Sequence, residues 1–249
     1  MPSMTERVYP DEMDSSREIQ RVLREIHLRR YRVARDWLKE HLGNRKTRVI
    51  DIACGSGFGT AILSELGETI GVDIDPESIE YAKSHYRNGH IDFMIGNADD
   101  RDFLNSLGRF DAIISSGTIE HIDDPVTFLG WIKKTLNPGG GCVVCFPSTL
   151  TMDWAKPHHK RDISLRGAAR LFSTCGFEVK RKYIEGHRLR LRDLLLEIRK
   201  NPELPVPPLK QWISYYLGHP HHLAVRAFQT TLGKGFLFQD QEYLLSPAG

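Results

Sequence analysis

Long apolar runs are missing from this chain. No stretch approaches the ~20 residues of a membrane-crossing helix, and MPSMTERVYPDEMDSS carries no secretory apolar region. A cytoplasmic chain with no membrane contact is therefore expected. Charge of one sign is missing as well: 34 Lys and Arg stand against 32 Asp and Glu, a formal net charge of +2 over 249 residues. That balance argues against a surface built for nucleic acid. Basic residues crowd only from Arg17 to Lys39 and from Arg181 to Lys200, where apolar residues interrupt them at helical spacing and make them solvated helix faces. Cysteine is scarce, with four in all, and Cys142 and Cys145 form the pattern CVVC. Residues three apart on a strand point to opposite faces, so this pair cannot share a ligand. All four are expected to be buried thiols in a reducing compartment. Internal repeats and low-complexity segments are absent too, and 40% hydrophobic with 27% charged residues is ordinary for a globular chain.

What is present begins with VIDIACGSGFGTA, Val49 to Ala61. A β-branched run feeding glycines at alternate positions and then a helical pattern reads as strand, tight loop and helix start, where a ligand can approach bare backbone. A phosphate loop needs Lys and Ser or Thr after its last Gly, and Thr60 and Ala61 stand there instead. The dinucleotide fingerprint needs Gly at Thr60 and no acid inside the strand, whereas Asp51 lies four residues before Gly55. An acid there suits a ligand with a cationic end, such as the ammonium and sulfonium of S-adenosylmethionine. Read alone, the loop is also compatible with a tight turn that holds no ligand, the less favoured reading.

The rest alternates strands and helices. Residues 17–43 form one long or two broken helices closed by Gly43. Then come VIDIA, a helix from about Phe58 to Leu66, ETIGVDID, PESIEYAKSHY opening with Pro, IDFMIG and FDAIISS. DPVTFLGWIKKTL follows, with Asp124 as N-cap, then the turn NPGGG, the strand GCVVCFP, the helix SLRGAARLFSTCGF and a strand from Phe177 to Ile184. This rhythm predicts an α/β fold with a doubly wound, mostly parallel seven-stranded sheet. Beyond it, HRLRLRDLLLEIRK and HLAVRAFQTTL read as helices, PELPVPP as a connector and FLFQDQEYLL as a last strand. The expected organisation is an N-terminal helical lid over 1–44, a ligand-binding core over 45–185, and a helical insertion with the last strand over 186–249.

Ligands of open α/β sheets bind beyond the carboxyl ends of the strands. GVDID puts Asp73 there, a carboxylate able to accept from two ribose hydroxyls, with Ile74 as cover for one adenine face. GNADD offers Asn97 and Asp99 as acceptors and Ala98 as a backbone donor. Singly, each is also a common cap or turn residue. Together with FDAIISSGTIEHIDDP, LNPGGG and HHKRDISLRGAARLFSTCGFEV, these segments resemble the Rossmann-like S-adenosylmethionine-dependent methyltransferases over residues 45 to 185. EHIDDP is the most specific element, similar to the branch of quinone-biosynthesis, sugar and natural-product O-methyltransferases.

The resemblance implies S-adenosyl-L-methionine as cofactor, held by Asp51, Ala53, Gly55, Gly57, Asp73, Ile74, Asn97, Ala98, Asp99 and Ser116. Ala53 stands where the family usually has Gly. EIHLRRYRVA resembles a subgroup associated with sugar modification and suggests Arg30 or Tyr31 as a lid contact to the methionine carboxylate. A hydroxyl acceptor must lose its proton near the transition state, and His121 is placed to take it; a purely loop-holding His121 remains an equal alternative. His158, His159 and Tyr215 are candidate contacts to the acceptor, a small molecule or a sugar. His219, His221 and His222 flank Pro220 without ligand-spaced acids and read as a solvated turn, so no metal is expected. N-methylation of a small amine and cofactor binding without turnover stay open, as does a homodimer. Nucleic acid as acceptor is disfavoured because SSGT stands where an NPPY-type motif would.

Overall fold

The computed structural model describes residues 8–13, 18–148, 159–189, 209–231 and 236–248. The first long pattern is one helix, α1 (Glu18–Leu42), ended by Gly43 in left-handed backbone. Then follow β1 (Thr47–Ile52), α2 (Phe58–Leu63), β2 (Gly67–Asp73), α3 (Pro76–Tyr86), β3 (Ile91–Ile95), α4 (Arg101–Ser106) and β4 (Phe110–Ser116). The second half holds α5 (Pro125–Thr135), β5 (Leu136–Pro147), α6 (Leu165–Thr174), β6 (Phe177–Leu189), α7 (Leu209–Gly218), α8 (Pro220–Thr231) and β7 (Phe236–Pro247). Among the described residues, side-chain caps set four helix starts: Asp75 accepts from Ser78 N–H, Asp100 from Asp102 and Phe103 N–H, Asp124 from Val126 and Thr127 N–H, and Ser164 from Gly167 N–H.

The seven strands form one sheet in the order β3-β2-β1-β4-β5-β7-β6, parallel except where β7 runs antiparallel between β5 and β6. Strand order reverses between β1 and β4, so a crevice opens beyond their carboxyl ends. Alternation decides what faces each layer. Ile50, Ile52, Ile113, Val144 and Tyr243 pack under Phe128, Ile132 and Phe172 of α5 and α6. Val49, Ala112, Ile114, Val143 and Leu244 pack under Leu28, Tyr31, Ala34 and Leu38 of α1 and Phe58 and Leu63 of α2. Residues 18–42 are thus a covering layer of the core. Among the described residues no helix is long and apolar enough to cross a membrane.

Several boundaries differ from expectation. The six-residue α4, capped by Asp100, has no apolar period long enough to announce it. NPGGG lies inside β5, because Phe110 pairs with Leu136 before the register shifts and resumes at Ala112 with Gly141. The helix expected from His187 begins as strand: His187, Arg188 and Leu189 continue β6, which pairs with β7 as far as Leu189 opposite Phe236. The excursion in the last hairpin therefore starts after Leu189, not at Gly186. Residues 190–208, including most of HRLRLRDLLLEIRK and all of PELPVPP, lie outside the described residues, as does His158. All four cysteines are free thiols; Cys54, Cys142 and Cys145 are buried, but Cys175 is only half-buried at the end of α6.

Candidate active site

At the end of β1 the chain enters a loop in which Ala53, Gly55 and Gly57 adopt left-handed backbone, with φ of 62°, 55° and 85°. Gly57 has a second constraint, since a Cβ there would meet Ala82 at 2.6 Å and the Phe93 ring at 2.8 Å. A Cβ on Gly55 would meet nothing within 4 Å, so bare backbone faces open space. Ala53 is the only non-glycine among the described residues with positive φ. Ala53→Gly is expected to stabilise the fold by about 0.5–1 kcal/mol, the left-handed penalty less the extra entropy of Gly in the unfolded chain. A higher urea midpoint at unchanged slope would register it, and an unchanged or lower midpoint would refute it.

Asp51 points to the α1 side and is fully buried, accepting from Thr60 Oγ1 at 2.8 Å and from the Tyr31 hydroxyl at 3.4 Å. Burial pushes its carboxyl up to about 7, against the pull of the Thr60 and Tyr31 hydrogen bonds and with a further push from Asp73. The Tyr31 ring lies where a Cβ on Gly59 would be, 2.1 Å from its nearest carbon. Tyr31 is therefore a buried partner of Asp51, and Arg30 turns instead to Asp240 of β7, at 2.5 Å.

Asp73, at the end of β2, accepts the N–H of Gly55 at 2.8 Å and of Asp75 at 2.9 Å, tying the glycine loop to the turn before α3. Ile74 beside it is 58% exposed. Past β3, Asn97 Oδ1 accepts from Asp99 N–H, and Asp99 Oδ1 accepts from Asp123 N–H at 3.0 Å. Ala98 packs partly buried on the main core. Asp99 thus links the end of β3 to the segment that follows β4.

That segment is well anchored. Half-buried Ser116 ends β4, Gly117 N–H donates to Cys145 O at 2.8 Å, Thr118 Oγ1 donates to Ile52 O at 3.2 Å, and His121 N–H donates to Thr118 O at 2.8 Å. The turn carrying Glu120 and His121 is so docked on the end of β1. A later stretch crosses it: Lys160 N–H donates to Glu120 O at 2.9 Å, and Lys160 Nζ bonds Asp123 at 2.5 Å. His159 comes with it, its ring edge-on to His121 with centroids 4.6 Å apart.

Tyr215 sits elsewhere, on α7. It is half-buried, bonded to His222 Nδ1 at 2.6 Å and stacked on His219, with His219 and His221 exposed. Two features were not anticipated from the sequence. Residues 8–13 cross the glycine loop, with Ser56 Oγ donating to Val8 O at 2.6 Å and Tyr9 edge-on to Tyr81. Beneath α1, Arg29 and Arg30 meet the buried acids Glu185 and Asp240, with Glu242 beside them. The run of polar residues in FLFQDQEYLL gave no sign that Asp240, Gln241 and Glu242 would be buried.

Residues 44–182 match the family model described as a methyltransferase domain. A ubiquinone biosynthesis O-methyltransferase from Bradyrhizobium is 36% identical over 110 residues, covering 43% of this chain and 41% of that protein. A probable S-adenosylmethionine-dependent methyltransferase from Mycolicibacterium smegmatis is 25% identical over 138 residues, 53% of this chain and 52% of that protein. The match thus spans about half or less of these relatives' length. The YcgJ protein from Bacillus subtilis shares the fold, with a TM-score of 0.62 at 19% identity, covering 88% of this chain and all of that one. With more than half of its residues inside the family match, the chain belongs to the methyltransferase-domain family.

Proposed function

We propose that the chain transfers a methyl group from S-adenosylmethionine to a hydroxyl of a small-molecule or sugar acceptor. The observation that carries this reading is the convergence, at the carboxyl ends of β1, β2 and β4, of a bare glycine backbone tied to Asp73 with an anchored Glu120–His121 turn. The residues fit the cofactor: Gly55 leaves room for close approach, Asp73 offers oxygens to hydroxyls, and exposed Ile74 offers an apolar face. When bound, S-adenosylmethionine supplies an electrophilic methyl on a sulfonium, and transfer is an in-line displacement dominated by positioning. His121 receives the proton of the acceptor hydroxyl. Asp73 and Asp99 hold the loops that orient the cofactor and the His121 turn, respectively.

Calorimetry and labelled-methyl transfer test this together. Asp73→Ala is expected to weaken S-adenosylmethionine binding by about 1.5 to 3 kcal/mol through lost charge-assisted hydrogen bonds. Unchanged affinity, or preference for a nicotinamide dinucleotide, would overturn the cofactor assignment. A screen that methylates amines and no hydroxyl would favour N-methylation, with His121 as a loop-holding residue. Tight binding with no turnover on any acceptor class would leave a binding protein.

A further inference from the structure

We propose that Glu120, His121 and His159 form a zinc-binding site, and that zinc held there withdraws His121 from proton transfer. The three residues each present one ligand atom, and these atoms all lie within 4.8 Å of one another. Ligand atoms around a tetrahedral zinc at ~2.1 Å stand about 3.4 Å apart, so shifts of roughly 1 Å in the two imidazoles close the set. Two imidazoles and one carboxylate suit a borderline-soft ion far better than magnesium or calcium, which prefer all-oxygen sets. They also leave a fourth position for water, as in sites with three protein ligands.

The site is built from two segments that are already fastened together. Glu120 is buried and its backbone carbonyl accepts from Lys160 N–H at 2.9 Å, the residue next to His159. Arg161 donates to Asp123 O at 2.9 Å on the far side of the same turn. The ordering that a metal usually imposes on its ligands has therefore largely been made by protein contacts. Lys160, next to His159, does not oppose binding with its full charge, because its Nζ is engaged by Asp123 at 2.5 Å and lies 3.8 Å from Asp99.

The functional half of the inference rests on the proposed role of His121. A base needs a free nitrogen lone pair, and zinc takes that pair; an imidazolium must first release its proton to water. Zinc is thus an inhibitor, and a chelator leaves activity unchanged or raises it.

Cobalt(II) added to the full chain without cofactor probes the site. One equivalent is expected to bind and give the visible absorption bands of a four-coordinate ion, with zinc displacing it. His159→Ala should weaken zinc binding at least tenfold, and Glu120→Gln likewise. Because Glu120 is buried, the half-buried His159 is the decisive variant, its fold checked by thermal melting. No bound cobalt, or equal zinc affinity in wild type and His159→Ala, would overturn the site. In the transfer assay, the zinc concentration for half-inhibition should rise at least tenfold in His159→Ala, and zinc that binds without inhibiting would overturn the second half. If cobalt binds as stated while no hydroxyl acceptor is methylated, the acceptor assignment falls and the site stands.

Discussion

His121→Ala is expected to slow methyl transfer to a hydroxyl acceptor by about a hundredfold or more, with S-adenosylmethionine affinity nearly unchanged. The separation of the two effects follows from how the turn is held. His121 is fixed through its backbone, N–H to Thr118 O, and Thr118 through its hydroxyl to Ile52 O. Asp99 holds Asp123, and Lys160 holds the Glu120 carbonyl. None of these bonds uses the imidazole, so its removal leaves the backbone of the turn and the loops around Asp51 and Asp73 in place. What is lost is a group able to take a proton near neutral pH. Added imidazole should recover part of the rate. An amine acceptor that reaches the site already deprotonated would lose far less. Equal losses in affinity and rate would assign His121 a loop-holding role.

The strand ends were legible because each carries a local signal: glycines after an apolar run, an acid closing GVDID, and an Asp before Pro at α5. Such signals need only a few neighbouring residues, and α3 and β4 appear where their patterns put them. Pairings across the chain left no such mark. Tyr31 reads as one position of a helical stripe, and its bond to Asp51 depends on α1 crossing the sheet at Gly59. His159 was visible as a candidate contact to the acceptor, but its place against His121 depends on Lys160 bonding back to Glu120. The acids of β6 and β7 were the least legible. In a strand flanked by polar residues on both faces, alternation cannot tell which side a helix will cover. Only the register of Cys145 with Glu242, and of Glu185 with Asp240, brings those acids beneath α1.

Arg30→Met is expected to cost about 3–5 kcal/mol of stability near pH 8, the range for removing one partner of a buried ion pair. The Arg30 and Asp240 side chains are 15% and 6% exposed and 2.5 Å apart, and Glu242 and Glu185 lie in the same interface. Without Arg30, three acids would face Arg29 alone, which already serves Glu185 at 3.0 Å. Asp240→Asn should cost less, because with the Asp240 charge gone Glu242 can release its proton and take its place beside Arg30. Glu242 makes the cluster sensitive to pH. Among the described residues, neither of its carboxylate oxygens has a hydrogen-bond partner. Burial, then Glu185 and Asp240, push its carboxyl from 4.5 up to about 8, against the pull of Arg30 and Arg29. Its folded pKa exceeds its unfolded one, so the folded chain keeps a proton that the unfolded chain has released. Its contribution is complete below about 4.5 and is lost as pH rises to about 8. Asp51 acts in the same direction between 3.8 and about 7. Stability of the free chain should therefore decline from mildly acidic to mildly alkaline pH. Glu242→Gln should flatten that decline and raise stability near pH 8.5, and the penalty of Arg30→Met should shrink at pH 5. Urea unfolding at pH 5, 7 and 8.5 measures all three. A flat wild-type profile, or a Glu242→Gln protein that is weaker at pH 8.5, would show that this acid is charged and satisfied in the folded chain.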